Sequence, residues 1–258
     1  MFYLIFGQAY SRGYLAVDPY NRMCKNKNTK IHMPKLKIDE DLTIVAFTDE
    51  ELAVMDEYFR GSNAEMAYMP GRYCGLRINE CYGLKWSQVD MENGMIRIEQ
   101  QMMYVNGPIR LAPLKTRNAR RSIVMGKRMP EFMTAAYEER EKSAVSLAAQ
   151  REQNQKFIID TDGSKLSCLE LVNCLPNGKI QTVNSMKFHS LTLKQKYGID
   201  FKYHHLRHTC GTQLAVLNTP AHLLCNQMGH GNIHVTERYY IAISKSGLDV
   251  LRQNPDRL

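Results

Sequence analysis

No stretch of this 258-residue chain approaches the ~20 consecutive apolar residues that a membrane-crossing helix requires. The apolar run FYLIF at residues 2–6 is too short for a signal-peptide core, and no cleavage site follows it. Paired cysteines are missing too. The seven cysteines, at positions 24, 74, 81, 168, 174, 210 and 225, are odd in number and scattered, with no CxxC step among them. That argues against a disulfide framework and for reduced thiols in a cytosolic protein. The chain also lacks an HExxH signature, internal repeats and low-complexity tracts.

What is present is positive charge and ordinary core material. The formal net charge of +8 favours a polyanionic partner, although a membrane surface or plain solubility would fit the same basicity. With 44% hydrophobic residues, the length allows one main domain with an appendage.

The residues able to handle a phosphate concentrate between His204 and Tyr240. His204 and Arg207 stand three apart, and the apolar run Leu206, Cys210, Leu214, Leu217 predicts a helix that puts both on one face. A Gly229-His230 step follows, then the pair Tyr239 and Tyr240. Guanidinium grips phosphate oxygens in a fork, and a phenol can attack phosphorus. A metal site is the alternative use of these side chains, since His204 and His208 are four apart and His222, Cys225 and His230 follow.

The segments HHLRHT and MGHGNIHVTERYY resemble the signature of the tyrosine recombinases, or phage-type integrases: His-x-x-Arg-His, then Leu/Met-Gly-His, then a nucleophilic tyrosine about nine residues on. Here the step from 230 to 239 is nine. Upstream, GLRINECYGLKWSQVD at residues 75–90 resembles the family's first box, and Lys115-Thr116 its Lys-Thr hairpin. The resemblance implies an α+β, mainly α-helical catalytic domain with a small antiparallel β-sheet. It implies a site-specific DNA recombinase of a mobile element that cleaves and rejoins DNA through a 3′-phosphotyrosyl intermediate by type IB topoisomerase-like chemistry. Its partners would be double-stranded DNA and further copies in a dimeric to tetrameric synaptic complex, with no cofactor or metal, in the cytoplasm on the nucleoid. A catalytically inactive DNA-binding relative is the alternative.

By the same resemblance Arg77 and Arg207 are the catalytic arginines, Lys115 the general acid with Arg117 as its rival, and His204 and His230 the groups that orient the phosphate and assist proton transfer. Tyr239 is the nucleophile, with Tyr240 one residue out of register. Arg77, just after a glycine at a predicted helix start, is suited to an anion by position alone, or is a structural arginine paired with Glu80. Glu80 and Asp90 are expected to brace the arginine helix, and His208 to be buried and structural.

Taken in order, residues 1–40 read as a core-binding-domain remnant plus a basic linker, and 41–258 as the catalytic domain with its tail. A short helix over 1–23 would place Ala9, Tyr14 and Leu15 in contact with a core. Lys25, Lys27, Lys30, Lys35 and Lys37 form the linker, suited to phosphate contacts or simply to a solvated loop. Arg117, Arg120 and Arg121 add to the expected DNA-binding surface. Thr48, Glu51 and Phe47 predict a capped helix over 49–60. Helices are also expected at 64–74, kinked by Pro70-Gly71, and at 78–84. Strands are expected at 95–98, 103–105, 109–114 and 122–125, with a hairpin turn at Asn106-Gly107. A long helix over 129–153 would turn Phe132, Ala136 and Val145 inward. Further helices are expected at 164–174, 183–197, 204–217, 220–228, 232–240 and 246–253. Residues 244–258 would dock on a neighbouring protomer or on their own domain.

Overall fold

The computed structural model describes residues 8–15, 45–104, 109–237 and 239–240, with Tyr104 and Arg117 described by their backbone. The chain divides into two compact units, Met1–Thr43 and Ile44–Leu258. In the first, residues 8–11 are helical, and Tyr14 is 78% exposed rather than packed. The five linker lysines, the Asn106-Gly107 turn and the helix expected at 246–253 lie outside the described residues.

The second unit starts with α1 (Asp49–Phe59), where Thr48 and Glu51 form the reciprocal capping box expected of them. Phe47 stacks on Phe201 at 6.0 Å, and its N–H donates to Thr209 Oγ1, tying the start of α1 to a helix 162 residues away. Next come α2 (Glu65–Cys74) and α3 (Ile78–Tyr82), joined through Gly75 in the left-handed region at φ 67°. Pro70 sits inside α2 without ending it. Its missing N–H leaves the Met66 carbonyl without a helical donor, and the Cys81 thiol stands 3.9 Å from that oxygen. Gly71 gives Tyr203 room, since a Cβ there would lie 2.6 Å from the phenol oxygen.

Two small sheets follow. β1 (Val89–Asp90), β2 (Met95–Ile98) and β5 (Arg121–Val124) form one antiparallel sheet. The other takes the order β3 (Gln100–Tyr104), β4 (Ile109–Pro113), β6 (Phe157–Ile159) and β7 (Lys165–Ser167). It is antiparallel except at β4–β6, where Arg110 pairs with Ile159 in parallel.

The expected helix over 129–153 is two helices, α4 (Arg128–Lys142) and α5 (Ala148–Asn154). Between them the Ser143 and Ser146 hydroxyls bond to the Arg140 and Ser143 carbonyls, competition that serines bring to a helix backbone. Val145 is consequently 89% exposed, while Met129 and Met133 take the inward positions and Phe132 packs at their margin. The expected helix at 164–174 is instead β7 followed by a 3-10 turn, Cys168–Glu170, because Phe157–Ile159 claims the segment as a hairpin partner. Asp162-Gly163, with Gly163 at φ 89°, is the turn signal between those strands.

Three helices complete the unit: α6 (Ser185–Tyr197), α7 (Tyr203–Val216) and α8 (Ala221–Met228), after which residues 233–237 and 239–240 are helical. Leu217 falls past the end of α7 and is 74% exposed, so the apolar face stops at Leu214. The main core runs from Phe47 to Leu206. A smaller cluster of Cys210, Ala215, Leu224, Met228 and Tyr239 sits apart from it. No helix among the described residues is long and apolar enough to cross a membrane.

Candidate active site

The site is organised by the end of α8. Gly229 closes that helix at φ 62°, ψ 44°, and a Cβ on it would come within 2.7 Å of Arg121 Cδ, so glycine is required by backbone conformation and by space. The last carbonyls of a helix have no intrahelical donor and carry the negative end of its dipole. Three successive ones are taken by three arginines. Arg121 Nε donates to Gln227 O at 3.0 Å, Arg207 Nη2 to Met228 O, and Arg77 Nη2 to Gly229 O at 3.3 Å.

Arg207, on α7, is 2% exposed and also donates to Gly75 O at 2.7 Å, so two helix termini hold it. Burial, then Arg77 and Arg121, pull its pKa down to about 9, which leaves it charged at neutral pH. Arg77 stands at the N-terminal boundary of α3 and donates to Glu80 through Nη1 at 2.8 Å and through its backbone N–H at 3.0 Å. Arg121 grips the same carboxylate with both terminal nitrogens, at 3.0 and 2.9 Å. Burial opposes ionisation of Glu80, but Arg121 and Arg77 outweigh it and hold the pKa at about 2. The expected surface role of Arg121 gives way here: its side chain is 5% exposed and committed to Glu80. Asp90 is exposed and bonds to Asn93, so the bracing falls to Glu80 and Arg121.

His230 follows the Gly229 turn, with Nδ1 2.9 Å from Thr236 Oγ1. Burial, then Arg207, Arg77 and Arg121, push its pKa down to about 3, so the ring is neutral. His204 is exposed at the start of α7, and its ring meets His208 edge-on at 4.4 Å. Desolvation, then Arg207 and Arg77, lower its pKa. Tyr239 is 2% exposed, lies parallel to His230 at 6.0 Å, and has its hydroxyl 3.0 Å from His208 Nδ1. Burial raises the Tyr239 pKa against the pull of Arg207. Tyr240 turns away and donates to Thr219 O.

Lys115 is exposed at the bend after β4, and among the described residues no hydrogen bond or ion pair fixes it. Arg120 is exposed and lines a groove of about 520 Å³ with Asn118, Asn226, His230 and Gly231. Arg77, Arg207, His230 and Tyr239 therefore come together, while among the described residues no hydrogen bond or ion pair joins Lys115 to them. Among the described residues no group of three or more His, Cys, Asp or Glu side chains is placed to hold a metal ion. His208, expected to be buried and structural, is only half-buried and meets the phenol, while two contributors carried no expectation from the sequence: Thr236 at His230, and Gly211, whose Cβ would lie 2.8 Å from Tyr239 Cε1. Only His208 carried a signal, as a second histidine one turn after His204.

Fold and site together define an α+β domain with a cationic, tyrosine-bearing site suited to a phosphodiester. The chain belongs to the phage integrase family, whose model matches residues 36–246. A tyrosine recombinase XerC-like protein of Caldanaerobacter subterraneus subsp. tengcongensis is 27% identical over 251 residues, covering 91% of this chain and 58% of that protein's length. The Tn1549 transposon integrase in complex with circular intermediate DNA is similar in structure, with TM-score 0.64 at 20% identity over 96% of this chain and 84% of that one. XerA recombinase gives TM-score 0.54 at 17% identity over 80% of this chain and 64% of that one. These two likenesses establish the fold.

Proposed function

We propose that this chain carries the catalytic domain of a site-specific DNA recombinase of a mobile element, acting in the cytoplasm on double-stranded DNA and assembling with further copies into a synaptic complex. The observation that most supports the reading is the gathering of Arg77, Arg207, His230 and Tyr239 around the end of α8. Family membership, and a structural neighbour solved with circular intermediate DNA, support it further.

In this reading Arg77 and Arg207 bind the non-bridging oxygens of the scissile phosphate and neutralise the charge that grows in the transition state. Tyr239 attacks phosphorus, forming a 3′-phosphotyrosyl bond and releasing a 5′-hydroxyl, as in type IB topoisomerases. Lys115, carried on its exposed loop, protonates the departing 5′-oxygen. His204 and His230 orient the phosphate, His230 being held through Nδ1 by Thr236 Oγ1. The phosphotyrosyl bond conserves the energy of the original linkage, so rejoining needs no nucleotide. Lys115, Arg120 and the linker lysines 25, 27, 30, 35 and 37 would contact phosphates, with Arg117 beside them in the loop.

The test is incubation of the protein with nicked duplexes drawn from the DNA flanking its own coding sequence. A covalent protein–DNA adduct that forms undiminished in excess EDTA is the expected result. Loss of the adduct on chelation would overturn the mechanism, and DNA binding with no adduct would point to a non-catalytic relative.

A further inference from the structure

Tyr239 lies against one face of α7, and two residues of that face, one turn apart, contact it. His208 Nδ1 is 3.0 Å from the phenol oxygen. Gly211 lets the ring approach the helix, where a Cβ would stand 2.8 Å from Cε1 and 3.0 Å from Cζ. His230 lies parallel to the same ring, but its Nδ1 is engaged with Thr236. Among the described residues the Tyr239 hydroxyl's hydrogen bond is to His208.

We infer that His208 is the general base that receives the Tyr239 proton, on a seat that Gly211 completes. This rests on the recombinase reading above. In the cleavage step the Tyr239 O–H bond breaks, the proton moves to His208 Nδ1, and the freed electron pair forms the bond from Oη to phosphorus. The bond from phosphorus to the 5′-oxygen breaks, and that oxygen takes a proton from Lys115. Rejoining is the reverse: a 5′-hydroxyl attacks phosphorus and the departing phenol oxygen recovers its proton from His208.

The surroundings of His208 suit an acceptor. Desolvation, then His204, His205 and Arg207, push its pKa down to about 4, so at neutral pH the ring is uncharged and one nitrogen carries a lone pair. A phosphate bound between Arg77 and Arg207 adds negative charge nearby, which raises the basicity of that nitrogen as the proton leaves the phenol. His204, packed edge-on against His208 at 4.4 Å, limits rotation of the ring.

The experiment compares the parent protein with His208→Asn, whose amide oxygen can accept the phenol hydrogen bond but cannot keep the proton. Once the parent's adduct has located the scissile phosphate, each is given ordinary DNA and DNA with a 5′-bridging phosphorothiolate there, whose thiolate leaves without protonation. His208→Asn should bind DNA like the parent and form the adduct roughly 100-fold more slowly, the scale of general-base catalysis. The loss should be as large on phosphorothiolate DNA, whereas Lys115→Ala should recover on it. His208→Gln serves the same comparison if the asparagine variant does not fold. An adduct rate within about threefold of the parent, or recovery of the His208 variant on phosphorothiolate DNA, overturns this inference alone. A parent that forms no adduct overturns the phosphotyrosyl reading, and this inference with it.

Discussion

Tyr239 and Tyr240 are neighbours, yet adjacent helical residues point about 100° apart, and their surroundings differ accordingly. Tyr239 sits between His208 and His230, whereas Tyr240 donates to Thr219 O beyond α7. Tyr239→Phe should therefore abolish the covalent adduct with DNA binding intact, and Tyr240→Phe should keep it; denaturing gels of the two variants read this directly, and the reverse pattern would shift the nucleophile by one residue. Arg121 makes a prediction of a different kind. Its side chain and that of Glu80 are 5% and 2% exposed, and breaking a buried pair costs about 3–5 kcal/mol because a charge is left without its partner. Arg77 remains beside Glu80, so Arg121→Ala should fall near the lower end, about 3 kcal/mol. It should also loosen the Gly229 turn, which Arg121 holds through Gln227 O. Unchanged stability in urea unfolding would remove Arg121 from the bracing role.

At the scale of elements, α2 shows why proline and glycine inside a helix need not break it. Pro70 and Gly71 bare one side of the helix, and Tyr203 of α7 approaches there to donate to Ala67 O at 2.8 Å. Gly71→Ala would ordinarily add about 1 kcal/mol of helix stability. Here the new methyl would meet the Tyr203 phenol at 2.6 Å. Overpacking of about 1–3 kcal/mol, plus about 1 kcal/mol for the lost buried hydrogen bond, should leave a net loss of about 1–3 kcal/mol. Chemical denaturation checks the sign, and a stabilised variant would refute the packing account. Elements such as α1, with its capping box, and α8, closed by Gly229, were legible in the sequence because their signals are local. The break between α4 and α5 was not, since Ala, Glu and Arg promote helix on both sides, and the turn is set by the Ser143 and Ser146 hydroxyls together with the distant contacts of Arg151, which donates to Arg140 O and Pro176 O. The β6–β7 hairpin was missed because strands of three residues carry little periodicity.

Over the whole molecule, several buried groups tie stability to pH in one direction. Glu80 has a folded pKa of about 2, below its usual ~4.3, so its stabilisation is present above ~4.3 and is lost as pH falls towards 2. His208 and His230, at about 4 and about 3, also lie below their unfolded value of ~6.5. The unfolded chain thus takes up protons from pH ~6.5 downward while the folded one does not, and stability falls across that window. A net charge of +8 adds self-repulsion as the carboxylates protonate. The melting temperature should decline steadily from pH 7 to pH 4 in calorimetry, and His230→Asn should flatten the decline between about pH 6.5 and 4. A melting temperature that holds level or rises on acidification would contradict the burial of these neutral rings.

The residues suited to a phosphate and their order along the chain belong to the sequence alone, as do the boundaries of capped and periodic helices such as α1, because spacing, capping and periodicity are local properties. Which of the cations stay exposed and which brace the site was decided by tertiary structure. Arg120 and Arg121 are adjacent in a basic loop and indistinguishable by composition. Arg120, just before β5, stays exposed at the groove, whereas Arg121, the first residue of β5, also borders that groove but turns its guanidinium inward to Glu80, a carboxylate 41 residues away. The same holds for His208, whose meeting with Tyr239 depends on α7 and the segment after α8 folding back on each other across 31 residues. No local signal encodes that contact; it exists because the bare surface at Gly211 lets a phenol ring reach the helix.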